Sequence, residues 1–211
     1  SYLEHSRYRG FDGVVLACID FADPEVIELV QSSIPVVTID YLFNNRIAIM
    51  SDNVTGMKEL LEYIYSRGHR KIAYIHGAMS AVTSGRLSSF YRTAERLGLQ
   101  IPDEYIREAA YRDTTTTYRD FASFGGINAI RQRGLQIPED ISVAGYDGIQ
   151  AARQLEPRLT TVQQDTEQIG CLAARELISL IARPKTTIIE QVIVPCKVVE
   201  GKSVAQIPTD K

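Results

Sequence analysis

Residues 137–165 read IPEDISVAGYDGIQAARQLEPRLTTVQQD, and the fold turns on how this stretch is parsed. Pro138, Glu139 and Asp140 predict a turn, and Ile141 to Gly145 is a short apolar run. Such a run is the pattern of a strand buried on both faces. An acidic residue, Asp147, stands at the end of that strand and is followed at once by Gly148. In open α/β sheets, ligands bind outside the carboxyl ends of the strands. Asp147 therefore has two readings, a ligand contact or a solvated loop residue, and its neighbours have to separate them.

Upstream, strands and helices alternate. Phe11 to Cys18 reads as a buried strand, and Asp23-Pro24 signals an N-cap and first turn for a short helix with Val26, Ile27 and Val30 inward. Strands follow at Ile34 to Ile39 and Arg46 to Met50. Met57, Leu60, Leu61 and Ile64 then fall at i, i+3, i+4 and i+7, a helix that Gly68 stops. After Gly68 the alternation begins again: a strand at Lys71 to His76, a small-residue loop from Gly77 to Gly85, and a helix with Leu87, Phe90, Tyr91, Ala94 and Leu97 inward. Tyr105 to Tyr111 is a weak strand and Phe121 to Arg133 a helix. Beyond the opening stretch come a long helix carrying Ile169, Leu172, Ala173, Leu177, Leu180 and Ile181, and an extended β-branched run from Thr186 to Val199. This order predicts an α/β fold with mainly parallel, doubly wound sheets. The polar run between Tyr111 and Phe121 leaves a strand–helix unit without its next strand, and the expectation is that residues are absent within 112–120.

Bulk properties narrow the function. With 211 residues, 45% of them hydrophobic, the chain fills one or two domains. A formal net charge of −3 and a pI near 5.7 speak against a broad basic face for nucleic acid. No apolar run has the length of a membrane span and no signal-peptide pattern opens the sequence. Cys18, Cys171 and Cys196 are far apart and odd in number, so neither a disulfide framework nor a metal spacing is read, and three reduced thiols among apolar neighbours are expected, as in the cytoplasm. SYLEHSRYRG at the start shows no cap or turn, which predicts a fragment. No P-loop, dinucleotide fingerprint or nucleophile elbow occurs, and His5, His69 and His76 have no nucleophile in the required context. The expectation is a binding protein, not an enzyme, with no cofactor.

GHRKIAYIHG (68–77), SGRLSSF (84–90), DFASFGGINAIRQRGLQIPEDISVAGYDGI (120–149) and LTTVQQD (159–165) occur in that order and spacing. Together they resemble the regulatory core of the lactose/galactose-repressor family of bacterial transcription regulators. The resemblance implies a fold like the type I periplasmic sugar-binding proteins: two Rossmann-like subdomains joined by three crossovers, with an effector in the cleft. The first subdomain is expected at 1–67 plus 162–184 and the second at 69–161 plus 187–211. The resemblance also implies a homodimer and operator binding through an N-terminal helix-turn-helix that this sequence does not contain. A periplasmic sugar-binding protein of a transport system is the alternative.

The resemblance assigns Asp147 to the effector, a sugar or sugar derivative, and a carboxylate suits a polyol because it accepts from two hydroxyls. Arg86 is then the fork donor that braces Asp147 or binds ligand, against a reading as a surface residue in a first helical turn. Thr83 and Ser84 occupy the loop where relatives place a further Arg, so no second cation is expected there. Thr55 matches a polar position of the first subdomain, and Asp52 and Asn53 are read as helix caps. Asp120 resembles the acid of a family Asn-Asp pair. Phe121 and Tyr146 offer aromatic faces to a ring or pack in the core, and Gln164 either touches ligand or serves the crossover.

Overall fold

The structure is a computed structural model that describes residues 1–109, 121–148 and 154–208, with the backbone alone for 121–125. The expected break at 112–120 and the candidate Asp120 lie outside the described residues, as does the Phe121 side chain. The chain forms two units, 1–52 with 165–194 and 53–164 with 195–211.

The first unit opens with helix α1 (Tyr2–Arg9). Contrary to the expectation of an uncapped start, Ser1 accepts from the Glu4 N–H, and the Glu4 side chain reaches back to the cap backbone, a capping box. Asp23 caps helix α2 (Pro24–Gln31), with Pro24 at its first position. Val26, Leu29 and Val30 point inward from α2, so Leu29 takes the place expected for Ile27. Four strands pair in parallel in the order β1 (Val14–Leu16), β2 (Val36–Ile39), β3 (Ile47–Ser51), β8 (Gln191–Val194). Their cores, Val36, Val37, Ile47, Ala48 and Ile49, are fully buried. Leu3, Leu16, Val26, Leu29, Val30 and Val36 form one apolar layer. Ile169 and Ala173 of the long helix α6 (Thr166–Ala182) form another with Val37, Ile47, Ile49 and Val194. Arg46 sits half-buried and donates to the carbonyls of Val30 and Ser32, satisfying the last oxygens of α2.

The second unit contains α3 (Asn53–Ser66), β4 (Tyr74–His76), α4 (Ala81–Arg96), β5 (Ile106–Glu108), α5 (Phe121–Gln132), β6 (Ala144–Asp147), β7 (Thr160–Gln163) and β9 (Lys197–Val199). β4 pairs with β5 in parallel, β6 with β7 in parallel, and β9 runs antiparallel to β7. Met57 and Leu61 of α3 pack with Ile72, Phe90, Ala94 and Leu99, while Leu60 packs with Val162 and Cys196.

These contacts move the expected boundaries. The helix at 53–66 buries its apolar face in the second unit, and β8 is held by β3 in the first, so 53–66 and 191–194 exchange places relative to the boundaries the resemblance implies. Helix α4 begins earlier than expected. Ser80 caps it by accepting from the Thr83 N–H, and 81–85 are helical where small residues predict a loop. Ser89 and Thr93 are buried on α4 whereas Tyr91 is 42% exposed, because Ser89 donates to the Val54 carbonyl and turns that side of the helix toward α3. Of the cysteines, Cys18 and Cys171 are exposed and Cys196 alone is buried, which corrects the expectation of three packed thiols.

Candidate functional site

β6 ends on Asp147, whose φ is 80°, and Gly148 follows at φ 64°. A non-glycine residue in this region is uncommon and costs on the order of 1–3 kcal/mol unless its surroundings hold it there. The holding is visible. Asp147 stays in register with Gln163 of β7, and a Cβ on Gly148 would lie 2.7 Å from the Gln163 Cα. Only glycine lets the two chains approach so closely at that turn. The apolar run predicts the strand at 141–145; it begins three residues later and delivers Asp147 as its terminal residue.

Arg86, in the second turn of α4, donates from Nη2 to Asp147 Oδ1 at 2.7 Å and from Nε to Asn53 Oδ1 at 2.7 Å. Its Cζ lies 3.7 Å from the centre of the Tyr146 ring, a stacked cation–π contact. The Gln164 amide donates to the same Asp147 oxygen at 2.9 Å. The Tyr146 hydroxyl donates to the Asn53 carbonyl at 3.3 Å. Among the described residues, both hydrogen bonds to Asp147 end on Oδ1. With side-chain exposures of 14% for Arg86 and 28% for Asp147, the pair is shielded yet open to solvent on one side.

Of the candidates drawn from the sequence, Asp147, Arg86, Tyr146 and Gln164 come together. Tyr146 cannot offer a ligand the ring face that Arg86 covers. Thr83 and Ser84 lie in the first turn of α4. The Thr83 hydroxyl donates to the Ala78 carbonyl, and the Ser84 N–H donates to the Ser80 carbonyl. No hydrogen bond links either side chain to Asp147 among the described residues. Thr55 sits half-buried in the first turn of α3. Asn53, whose position suggests a cap, is a buried partner of Arg86. An amide just after a strand end is an ambiguous signal, and only the fold shows which side chain it meets. Concavities of about 260 Å³ beside Tyr91 and Leu99 and about 380 Å³ along Arg175 to Arg183 lie away from this cluster. Among the described residues, no group of three or more His, Cys, Asp or Glu side chains is placed to hold a metal ion. No helix there is long and apolar enough to cross a membrane.

Burial raises the pKa of Tyr146 above the ordinary phenol value; Arg86 acts the other way, while Cys196 and Asp147 add to the rise. Burial raises Tyr74 too, again opposed by Arg86. The folded chain thus holds these two protons more tightly than the unfolded one. The stability this contributes is present below the unfolded tyrosine value near 10 and is lost as pH rises through the folded-state values. In an alkaline spectrophotometric titration, Tyr74 and Tyr146, two of the 11 tyrosines, should ionise above the ordinary phenol range. Tyr146→Phe should flatten the alkaline loss of stability. Ionisation of all phenols at the ordinary value in the native state contradicts this account.

Mainly parallel strands wound with helices, in two units, are the architecture of the periplasmic-binding-protein-like class. A family model for a periplasmic binding protein-like domain matches residues 61–204. A second, for periplasmic binding proteins and the sugar binding domain of the LacI family, matches residues 1–110. The chain belongs to this family, as a core of the LacI type. It is 29% identical over 198 residues to the probable HTH-type transcriptional repressor ExuR of Bacillus subtilis, covering 83% of this chain and 60% of that protein. It is 28% identical over 231 residues to the HTH-type transcriptional repressor PurR of Escherichia fergusonii, covering 99% and 67% respectively. The chain therefore spans about three fifths to two thirds of these relatives' length. Among solved structures, a transcription regulator from Lactobacillus plantarum superposes with a TM-score of 0.85 at 22% identity, covering 97% of this chain and 86% of that one. A periplasmic binding protein/LacI transcriptional regulator from Alkaliphilus metalliredigens, complexed with D-xylulofuranose, superposes at 0.80 with 25% identity, covering 96% and 81%.

Proposed function

We propose that this chain is the effector-sensing part of a cytoplasmic bacterial transcription regulator and that it binds a sugar or sugar derivative at Asp147. The observation that carries the reading is the Arg86–Asp147 pair, held at 2.7 Å at the carboxyl end of β6 with part of the carboxylate open to solvent. A carboxylate fixed in this way accepts from ligand hydroxyls without first having to order its own side chain. Arg86 keeps further N–H groups to donate to ring or hydroxyl oxygens. The sugar complex of the Alkaliphilus protein supports the ligand class, and the repressor names of ExuR and PurR support the regulatory role. Thr55 is the additional polar contact proposed, along with Gln164. Operator DNA is engaged through a helix-turn-helix outside this chain, in a homodimer, and the protein catalyses no reaction. Ligand alters operator affinity by preferring one conformational state, and only to the extent of its differential affinity. The transport alternative is weaker, since ExuR and PurR are repressors.

A thermal-shift screen of pentoses, hexoses, their phosphates and purines tests the reading, with Asp147→Ala beside the wild type. A hit should lose about 1.5–3 kcal/mol of binding in the variant, the value of hydrogen bonds to a charged group, or roughly ten- to hundred-fold in affinity. An equal shift in both proteins removes Asp147 from the site.

A further inference from the structure

We propose that the Arg86–Asp147 pair also couples the effector site to all three places where the chain passes between its two units. The inference rests on the reading of Asp147 as the effector contact and concerns how that contact is felt elsewhere. The passages fall at 52/53, 164/165 and 194/195. Asn53, the first residue after one passage, takes the Arg86 Nε–H on its side chain and the Tyr146 hydroxyl on its carbonyl. Gln164, the last residue before another, donates to Asp147 Oδ1. Cys196, just past the third, is buried in the apolar cluster against which Tyr146 packs. Tyr146 precedes Asp147 and lies under the Arg86 guanidinium. One ion pair and the ring beneath it thus restrain a residue at each passage.

A general structural role for Arg86 predicts local loosening around α4. The coupling predicts a pattern that sequence distance alone does not, since 53, 164 and 196 are far apart in the chain. A ligand that takes the open part of the Asp147 carboxylate or the remaining N–H groups of Arg86 loads the same two side chains that hold Gln164 and Asn53, so occupancy is felt at the passages through them. Tyr146 carries the effect to Cys196 because the ring under Arg86 packs against the cluster that buries Cys196.

Amide hydrogen exchange on the ligand-free chain tests this. Arg86→Met keeps the apolar stem and removes the fork. It should speed exchange roughly ten-fold or more in peptides covering 52–56, 162–166 and 194–198, while α2 and β5 keep their rates. Gln164→Leu, which removes one bond, should speed the 162–166 peptide alone. Arg86→Lys, which keeps the charge, should loosen the same three passages, because a single ammonium cannot span Asp147 and Asn53 as the fork does. Loosening of only one passage in Arg86→Met, or acceleration throughout the chain in both Arg86 variants, overturns the proposal. Because no ligand is used, failure here leaves the sugar-binding reading standing, whereas failure of the Asp147→Ala thermal-shift test with loosening at all three passages leaves a structural brace that no effector reaches through Asp147.

Discussion

Gly201→Ala is expected to destabilise the second unit by about 4 kcal/mol or more, the range reserved for a defined steric or network failure. A Cβ at this position would run into the carbonyl oxygen of Arg158 and come within 2.7 Å of that of Leu159. Both are backbone atoms, so no rotamer change relieves the overlap. Displacing the segment instead breaks a set of short bonds. The Gly201 N–H donates to Thr160 Oγ1 at 3.0 Å, and the Lys202 N–H donates to the Arg158 carbonyl at 2.7 Å. Ser203, fully buried, accepts from the Thr160 N–H at 2.8 Å and donates to the Val143 carbonyl at 2.6 Å. Each buried group left unsatisfied costs about 1–3 kcal/mol, against a total domain stability of about 5–15 kcal/mol. Urea denaturation followed by circular dichroism reads the change, with Gly170→Ala as the control. A Cβ on Gly170, inside α6, meets nothing within 4 Å, so that variant should gain about 0.5–1 kcal/mol. Equal midpoints for the two variants contradict the packing account.

Arg86→Met is expected to lower stability by about 2–3 kcal/mol. Removing one member of a buried pair costs about 3–5 kcal/mol, and the 28% exposure of Asp147 lets water recover part of it. The change leaves the Asp147 carboxylate with the neutral Gln164 amide in place of a cation, takes the guanidinium donor from the Asn53 amide oxygen and uncovers the Tyr146 ring. A double-mutant cycle with Asp147→Asn separates the ion pair from the other losses. A coupling energy of about 1–2 kcal/mol is expected for side chains in direct contact. Additive effects mean that the pair has no energetic identity of its own. Arg86→Lys should recover little, because the ammonium is a single point donor where the guanidinium bonds Asp147 and Asn53 together.

Legibility in the sequence differs from residue to residue. Asp147 stands out as an acid closing an apolar run, but position alone leaves a solvated loop residue open, and its pairing with Arg86 is expected only from the family resemblance. Asn53 is not legible, since a polar residue after a strand reads equally well as a cap. Thr83 and Ser84 look available because GAMSAVTSG (77–85) is rich in small residues, yet Ser80 caps the helix there and the Thr83 hydroxyl is taken by the Ala78 carbonyl. The start of the chain did carry its own signal, since Ser-x-x-Glu at 1–4 is the sequence form of a capping box.

The extended run TTIIEQVIVPCKVV (186–199) shows where local pattern ends. Pro195 cannot donate to a ladder and divides the run. Gln191–Val194 then joins β3 in the first unit, while Lys197–Val199 turns antiparallel onto β7 in the second. Nothing in the periodicity separates these fates, because both halves are β-branched and both need a partner. By itself the sequence determined the strand–helix alternation, the restart after Gly68 and the acid at the end of the apolar run in 137–165, since propensity, capping and burial pattern are properties of neighbours in the chain. Only the tertiary structure decided that Asn53, Arg86, Tyr146, Asp147 and Gln164 share one network, with Cys196 packed beside Tyr146. That assembly depends on which residues the parallel pairing of β6 with β7 and the packing of α3 against α4 bring within hydrogen-bonding distance.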